Sequence, residues 1–214
     1  MIQRVLEIIE EQGMLGLIKT GYKRTLPFRN KIRWGLYSHK KGWTGITNQK
    51  RKVKVIVSLT SFPARIDIVD ITIKSLLMQS LKPDEIILWL AKGQFSGEEN
   101  GLPTKLLKLK KYGLTINWCN DIKSYKKLIP ALRMYPDDII VTADDDVYYE
   151  RQWLKRLYLG YTKDPNYVHC HRITKFYIED HEYKIKEGEF EVYPFPSYLH
   201  KLTGVGGVLY PPHI

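Results

Sequence analysis

Asp138-Ile139-Ile140-Val141-Thr142-Ala143-Asp144-Asp145-Asp146 is the stretch on which the reading of this chain turns. Ile139 to Ala143 form a short apolar run of the kind that makes a buried strand. Three consecutive carboxylates at its end repel one another, and an unpaired buried charge is costly. The position therefore calls for positive charge. A hard divalent ion with a substrate diphosphate is a natural occupant, because Mg2+-like ions combine one or two carboxylates with phosphate oxygens. Taken alone, the triplet also reads as an acidic turn capping a helix that starts near Arg151. The segments around it favour the first reading.

Upstream, Val53 to Thr60 is β-rich and ends in Ser61-Phe62-Pro63, a turn signal. Residues 67–80 carry apolar side chains at helical spacing, with Asp67 as the expected N-cap. Glu85 to Leu90 reads as a second strand, Thr104 to Tyr112 as a short basic helix, and Leu114 to Cys119 as a third strand. Ser124 to Tyr135 reads as a helix kinked at Pro130. The run into the aspartates is then the fourth strand. Four strand–helix alternations with short connections predict a mostly parallel α/β sheet flanked by helices. Ligands of such sheets bind beyond the carboxyl ends of the strands, where Ser58–Arg65 and Asp144–Asp146 both fall.

Downstream, Trp153, Leu154, Leu157 and Tyr158 share a helix face, and Tyr167 to Arg172 reads as a strand. Alternation puts His169 and His171 on one side of that strand and Cys170 on the other, so the three do not converge on one metal ion. Residues 179–191 form a charged excursion, read as an exposed hairpin. Thr203-Gly204-Val205-Gly206-Gly207-Val208 is a glycine-rich loop running into a last strand, suited to close backbone approach to a ligand or to a tight turn.

The charge is uneven. Residues 1–54 hold 13 Lys/Arg against 3 Asp/Glu, which is +10 of the chain's +11. The remainder is nearly neutral, which argues against nucleic-acid binding by the fold. Residues 1–52 read as a basic, amphipathic helical extension, with Ile2, Val5, Leu6, Ile9, Leu15 and Ile18 on one face and basic residues interleaved with aromatics after it. That composition suits an anionic membrane surface, a solvated helical hairpin or a protein-docking segment. Residues 53–214 make the second unit. Cys119 and Cys170 show no metal or redox spacing, so a reduced, cytoplasmic chain is expected, with the inner membrane face as a further possibility through the extension. No apolar run is long enough to span a bilayer.

The segments Val57–Arg65, Ser124–Leu128, Asp144–Asp146 and Gly204–Gly207, in that order, resemble a bacterial glycosyltransferase of the GT-A fold, the nucleotide-sugar-dependent type that builds surface polysaccharides. The resemblance covers about residues 53–212, and the triple Asp is similar to that family's DxD element. It implies a metal-dependent enzyme using Mn2+ or Mg2+. The donor would be a nucleotide sugar, most commonly a uridine diphosphate sugar, and the acceptor a glycan or a lipid-linked molecule. It implies roles as well. Ser58, Thr60, Ser61 and Pro63 would face the base and ribose. Arg65 and Lys126 or Lys127 would meet the base or diphosphate. Asp144 would approach the ribose or the metal's water shell, beside Asp145, and Asp146 would ligate the metal. Gly204, Gly206 and Gly207 would border donor sugar and acceptor. Such proteins usually continue past the glycine loop with a helix and an acidic segment, so this chain reads as short at that end. Donor binding is accordingly better supported than turnover, and Glu179, Asp180 and Glu182 are the remaining candidates for a catalytic base. Two other readings stand beside this one. A nucleotidyltransferase would share the carboxylate–metal logic but is expected to carry a glycine-rich loop after the first strand. A non-catalytic remnant would bind nucleotide or membrane without turnover.

Overall fold

The computed structural model describes residues 28–186 and 196–214. The first stretch of the basic extension, including its apolar face from Ile2 to Ile18, lies outside the described residues. The chain divides into two compact units, residues 1–43 and 44–214. In the first, residues 28–38 are helical (α1). The second begins at Thr44, and residues 44–52 bond to the rest of it. Gly45 N–H donates to the Tyr112 carbonyl at 2.8 Å, Thr47 N–H to that of Pro83 at 2.8 Å, and Arg51 pairs with Asp84 at 2.6 Å.

The second unit is built on a six-stranded sheet. Its strands are β1 (Val55–Thr60), β2 (Glu85–Ala91), β3 (Leu114–Cys119), β4 (Ile139–Ala143), β5 (His169–Cys170) and β9 (Val208–Tyr210), in the order β3-β2-β1-β4-β9-β5. β1 pairs in parallel with both β2 and β4, and β2 with β3; β9 runs antiparallel between β4 and β5. The expected mostly parallel α/β sheet flanked by helices is thus present. The antiparallel strand is the departure.

The parallel strands are apolar on both faces, as a sheet covered on both sides requires. Ile56, Ile87, Trp89 and Ile140 point to one face, where they cluster with Ala131 of α4 (Ile129–Met134). Val57, Leu59, Leu88 and Val141 alternate to the other face and are equally buried. The other main helices, α2 (Val69–Leu77) and α5 (Trp153–Lys163), bury Ile73, Leu76, Leu77, Leu154 and Leu157.

Several local expectations are corrected. Asp67 does not cap α2; Ile68 holds that position without a side-chain bond, and the Asp67 carbonyl instead accepts from Lys105. The predicted kinked helix over 124–135 is two elements. A 3-10 turn spans Lys123–Lys127, and Pro130 sits in the first turn of α4. Proline is well suited there, because its missing N–H would have no helical partner anyway. The basic helix at 104–112 is likewise α3 (Thr104–Leu107) followed by a 3-10 turn.

Beyond β5, a separate three-stranded sheet is made of β6 (Ile173–Glu179), β7 (Glu182–Lys186) and β8 (His200–Leu202), in the order β7-β6-β8, all antiparallel. Residues 179–186 of the charged excursion are the β6–β7 turn with β7, and the hairpin begins at Ile173 rather than Glu179; residues 187–191 of the excursion lie outside the described residues.

Candidate functional site

Chain order reverses at β1. From β1 the chain proceeds to β2 and β3 on one side, then returns to place β4 on the other. The carboxyl ends of β1 and β4 therefore flank the switch point of the sheet, where open α/β sheets form a crevice. A cleft of about 590 Å3 lies there, lined by Thr60, Ser61, Phe62 and Arg65 after β1 and by Asp144, Asp145 and Asp146 after β4. Lys126 and Lys127 line it from the 3-10 turn, and Asp121, Lys123, Ser124, Gln94 and Val205 complete its wall.

The three aspartates have separate fates. Asp145 is buried, at 7% exposure. Its carboxylate accepts from Ser61 Oγ at 2.6 Å and from Arg65 Nη1 at 2.9 Å, and its carbonyl accepts from Thr72 Oγ1 of α2 at 2.9 Å. It binds the ends of β1 and β4 to α2. Asp146 faces solvent and pairs with the same Arg65 nitrogen at 2.8 Å. Asp144 is partly exposed and pairs with Lys127. Its backbone N–H donates to the Tyr149 hydroxyl at 2.8 Å. Burial pushes the Tyr149 phenol up from its ordinary value, so the tyrosine stays neutral beside the carboxylates.

Arg65 is placed by the turn. Phe62 is extended, as a residue before proline must be, and Pro63 then opens a single 3-10 turn ending at Arg65. The guanidinium lies 5.4 Å from the centre of the Phe62 ring, a cation–π distance. The Asp145 hydrogen bond, with the charges of Asp145 and Asp146, raises the arginine's pKa further. Lys127 is held from behind. Its carbonyl accepts from the buried Ser58 Oγ at 2.6 Å, and that hydroxyl in turn accepts from Trp89 Nε1 at 3.0 Å.

Lys126 is buried, at 3% exposure, and its ammonium reaches Asp121 at 2.9 Å. That hydrogen bond, with one from the Lys123 N–H, holds the Asp121 carboxyl well below the usual carboxylate range. Gln94 Nε2 donates to the same carboxylate at 2.9 Å, while its Oε1 is buried without a hydrogen-bond partner.

The glycine loop approaches from β9. A Cβ at Gly204 would lie 3.8 Å from Lys127 Nζ. Gly207 has φ +85°, and a Cβ there would fall inside the Trp153 indole, whose Nε1 donates to the Gly206 carbonyl at 2.7 Å. Glycine is required at 207 by both conformation and space.

Of the residues singled out from sequence, the cleft gathers Thr60, Ser61, Arg65, Lys126, Lys127 and the three aspartates. Ser58 is fully buried behind Lys127, so its expected contact with a donor is replaced by a supporting one. Pro63, Gly204, Gly206 and Gly207 do not line the cleft, whereas Val205 of the same loop does. Glu179 and Asp180 stand exposed at the β6–β7 turn and do not line the cleft, and Glu179 pairs with Lys184. Sequence reading missed Asp121 and Gln94. Asp121 follows the end of β3 on the same sheet edge, and that position was the available signal. His169 and His171 are each engaged by a backbone carbonyl, of Asp164 at 2.8 Å and Trp153 at 3.0 Å.

The donor set suits a hard cation in one specific sense. Among the described residues no three carboxylate, imidazole or thiolate groups converge to hold a metal by themselves. Two carboxylates, Asp144 and Asp146, do open on one cleft beside two cations. That arrangement fits an ion completed by ligand oxygens rather than one caged by protein.

No protein-family model matches the chain, and no curated protein does. Among solved structures it is similar to the mannosyltransferase PcManGT from Pyrobaculum calidifontis, in complex with GDP-Man and Mn2+, at 18% identity and a TM-score of 0.39. The match covers 69% of this chain and 43% of that one, so the chain spans less than half the length of that protein. No helix among the described residues is long and apolar enough to cross a membrane.

Proposed function

We propose that the chain binds a nucleotide sugar in this cleft and transfers its sugar to a glycan or lipid-linked acceptor in cell-surface polysaccharide synthesis, with Mn2+ or Mg2+ as cofactor. One observation carries the reading. At the switch point of the sheet, two carboxylates open to one cleft are each neutralised by a cation, Asp144 by Lys127 and Asp146 by Arg65. A diphosphate with its metal complements that set of charges. Asp144 and Asp146 would hold the metal, which when bound supplies positive charge to the departing diphosphate.

The chain's own residues do the rest. As a diphosphate enters, Lys127 and Arg65 turn from carboxylate to phosphate oxygens, and the two aspartates are released at the same time. Arg65 keeps its tie to Asp145 and so approaches from a fixed side. Fixed cations of this kind act on charge that develops as the sugar–phosphate bond breaks. Phe62 offers an apolar surface, 40% exposed, at the mouth of the cleft, suited to a base or ribose. Asp121, kept ionised by Lys126, presents a fixed acceptor on the opposite wall.

The test is release of nucleoside diphosphate from a panel of nucleotide sugars with Mn2+ or Mg2+ and candidate acceptors. One donor should be turned over, and Lys127→Ala should slow that turnover by about 100-fold. Pyrophosphate released from a nucleoside triphosphate and a sugar phosphate would instead identify a nucleotidyltransferase. Tight donor binding with no release under any condition would leave a nucleotide-binding module.

A further inference from the structure

The helix α1, residues 28–38, carries a pattern that the cleft does not use. Phe28, Ile32 and Leu36 recur every four residues and therefore form one stripe along the helix. They are 66%, 52% and 73% exposed. Lys31 borders the stripe on one side and Arg33 on the other, with Lys40 and Lys41 exposed just past the helix end. The opposite face is the packed one. Tyr37 stacks on Trp43 at 5.2 Å between ring centres, and Trp34 meets Trp43 edge-on at 5.8 Å. An apolar stripe turned to solvent between cations, on a helix anchored by its aromatic back, is the reverse of a soluble helix and the pattern of an interfacial one.

We infer that α1 lies in the headgroup layer of an anionic lipid bilayer, with Phe28, Ile32 and Leu36 at the acyl boundary and Lys31, Arg33, Lys40 and Lys41 among the lipid phosphates. This rests on reading residues 1–52 as a surface-docking extension, and it stands apart from the chemistry of the cleft. The charge of the segment selects the occupant. Residues 1–54 hold +10 of the chain's +11, which complements an anionic leaflet. A second copy of the chain fits poorly, because a two-fold contact along the stripe would set Lys31 and Arg33 of both copies against each other.

The experiment is co-sedimentation of the full chain with vesicles of phosphatidylcholine alone or mixed with phosphatidylglycerol, over a salt series. The wild type is expected to bind the anionic vesicles at low salt and to leave the neutral ones. Phe28→Ser/Ile32→Ser/Leu36→Ser should lower partitioning about tenfold or more. Lys31→Gln/Arg33→Gln should lower it about fivefold per cation and flatten its salt dependence. All of these side chains except Arg33 are exposed, so unchanged circular dichroism and an unchanged thermal midpoint will verify the fold. If wild type ignores anionic vesicles at low salt, the membrane role of the extension and of α1 is refuted. If the triple serine variant binds as wild type does, the extension docks through other residues and the role given to α1 is refuted. A wild-type dimer in sedimentation velocity that the triple variant dissolves would assign the stripe to self-association instead.

Discussion

In the six-stranded sheet, Leu59, Ile87 and Val141 are fully buried, whereas in the β6–β7 hairpin Ile178, Tyr183 and Ile185 are 58%, 73% and 56% exposed. The two sheets differ in strand composition as well as in surroundings: Lys and Glu run through β6 and β7, whereas Glu85 is the one charged residue of β1 to β4. The first is covered on both faces, and each charged group that lines the cleft at its carboxyl edge is held by a partner. Asp145 joins β4 to the β1 turn and α2, Asp121 is fixed by the buried Lys126, and Lys127 is braced through Ser58 and Trp89. Among the described residues the second has no such cover, and at its tip Glu179 pairs within its own hairpin, with Lys184. The difference teaches where precise chemistry can sit in this chain. Fixed charges need a buried platform behind them, and among the described residues the edge of the larger sheet supplies it.

Truncating the platform should have the largest effect on stability. Leu59→Ala, which opens a cavity in a fully buried layer next to the site, is expected to cost about 3 kcal/mol in chemical denaturation. Removing the linchpin of the charged edge comes next. Asp145→Ala leaves Arg65 and Ser61 without their shared acceptor, and the expected loss is about 2 kcal/mol, below that of a fully buried pair because the arginine is part-exposed. Asp146→Asn, one residue on and facing solvent, should leave the thermal midpoint unchanged, and equal effects at the two positions would break the contrast.

A smaller effect is set by pH. Burial lowers the pKa of His171 below its ordinary value. The unfolded chain therefore takes up that proton first, and stability should fall as pH drops below about 6.5. The loss is read from thermal melts between neutral and mildly acidic pH, and His171→Gln should remove it. The smallest effect belongs to the exposed sheet. Ile178→Ala should change stability by less than about 0.5 kcal/mol. A loss approaching that of Leu59→Ala would mean that the hairpin is covered in solution.

The sequence made most of the larger sheet legible and little of the smaller one. β1 to β4 announce themselves as apolar runs ended by Ser-Phe-Pro, by Cys119 before a polar loop, and by the aspartates. β9 is legible as the strand after the glycine loop, but its antiparallel direction is not, because three residues carry no periodicity and pairing between β4 and β5 decides it. Pro130 was read as a kink because a continuous apolar pattern surrounds it. The 3-10 turn before it, with Lys123 at φ +56°, is a tertiary choice that fixes Lys126 and Lys127 in the cleft. Within the site, Asp144, Asp146, Arg65 and Lys127 were visible as charges at strand ends. The division of labour among the aspartates was not, since Asp145 differs from its neighbours only in what it meets in space. Asp121 lay in a loop with no local pattern and became meaningful only through the buried lysine five residues later.

Calorimetric titration of a nucleoside diphosphate panel, with and without Mn2+, into wild type and the Asp144→Asn/Asp146→Asn variant tests the central claim most directly. The cleft as described should bind one nucleotide with metal, and the double variant should lose about 100-fold or more of that metal-dependent affinity while remaining folded. Binding that is indifferent to metal and unchanged in the variant, or no binding to any nucleotide by a folded wild type, would contradict the account and leave the aspartates as a structural turn closed by Arg65 and Lys127.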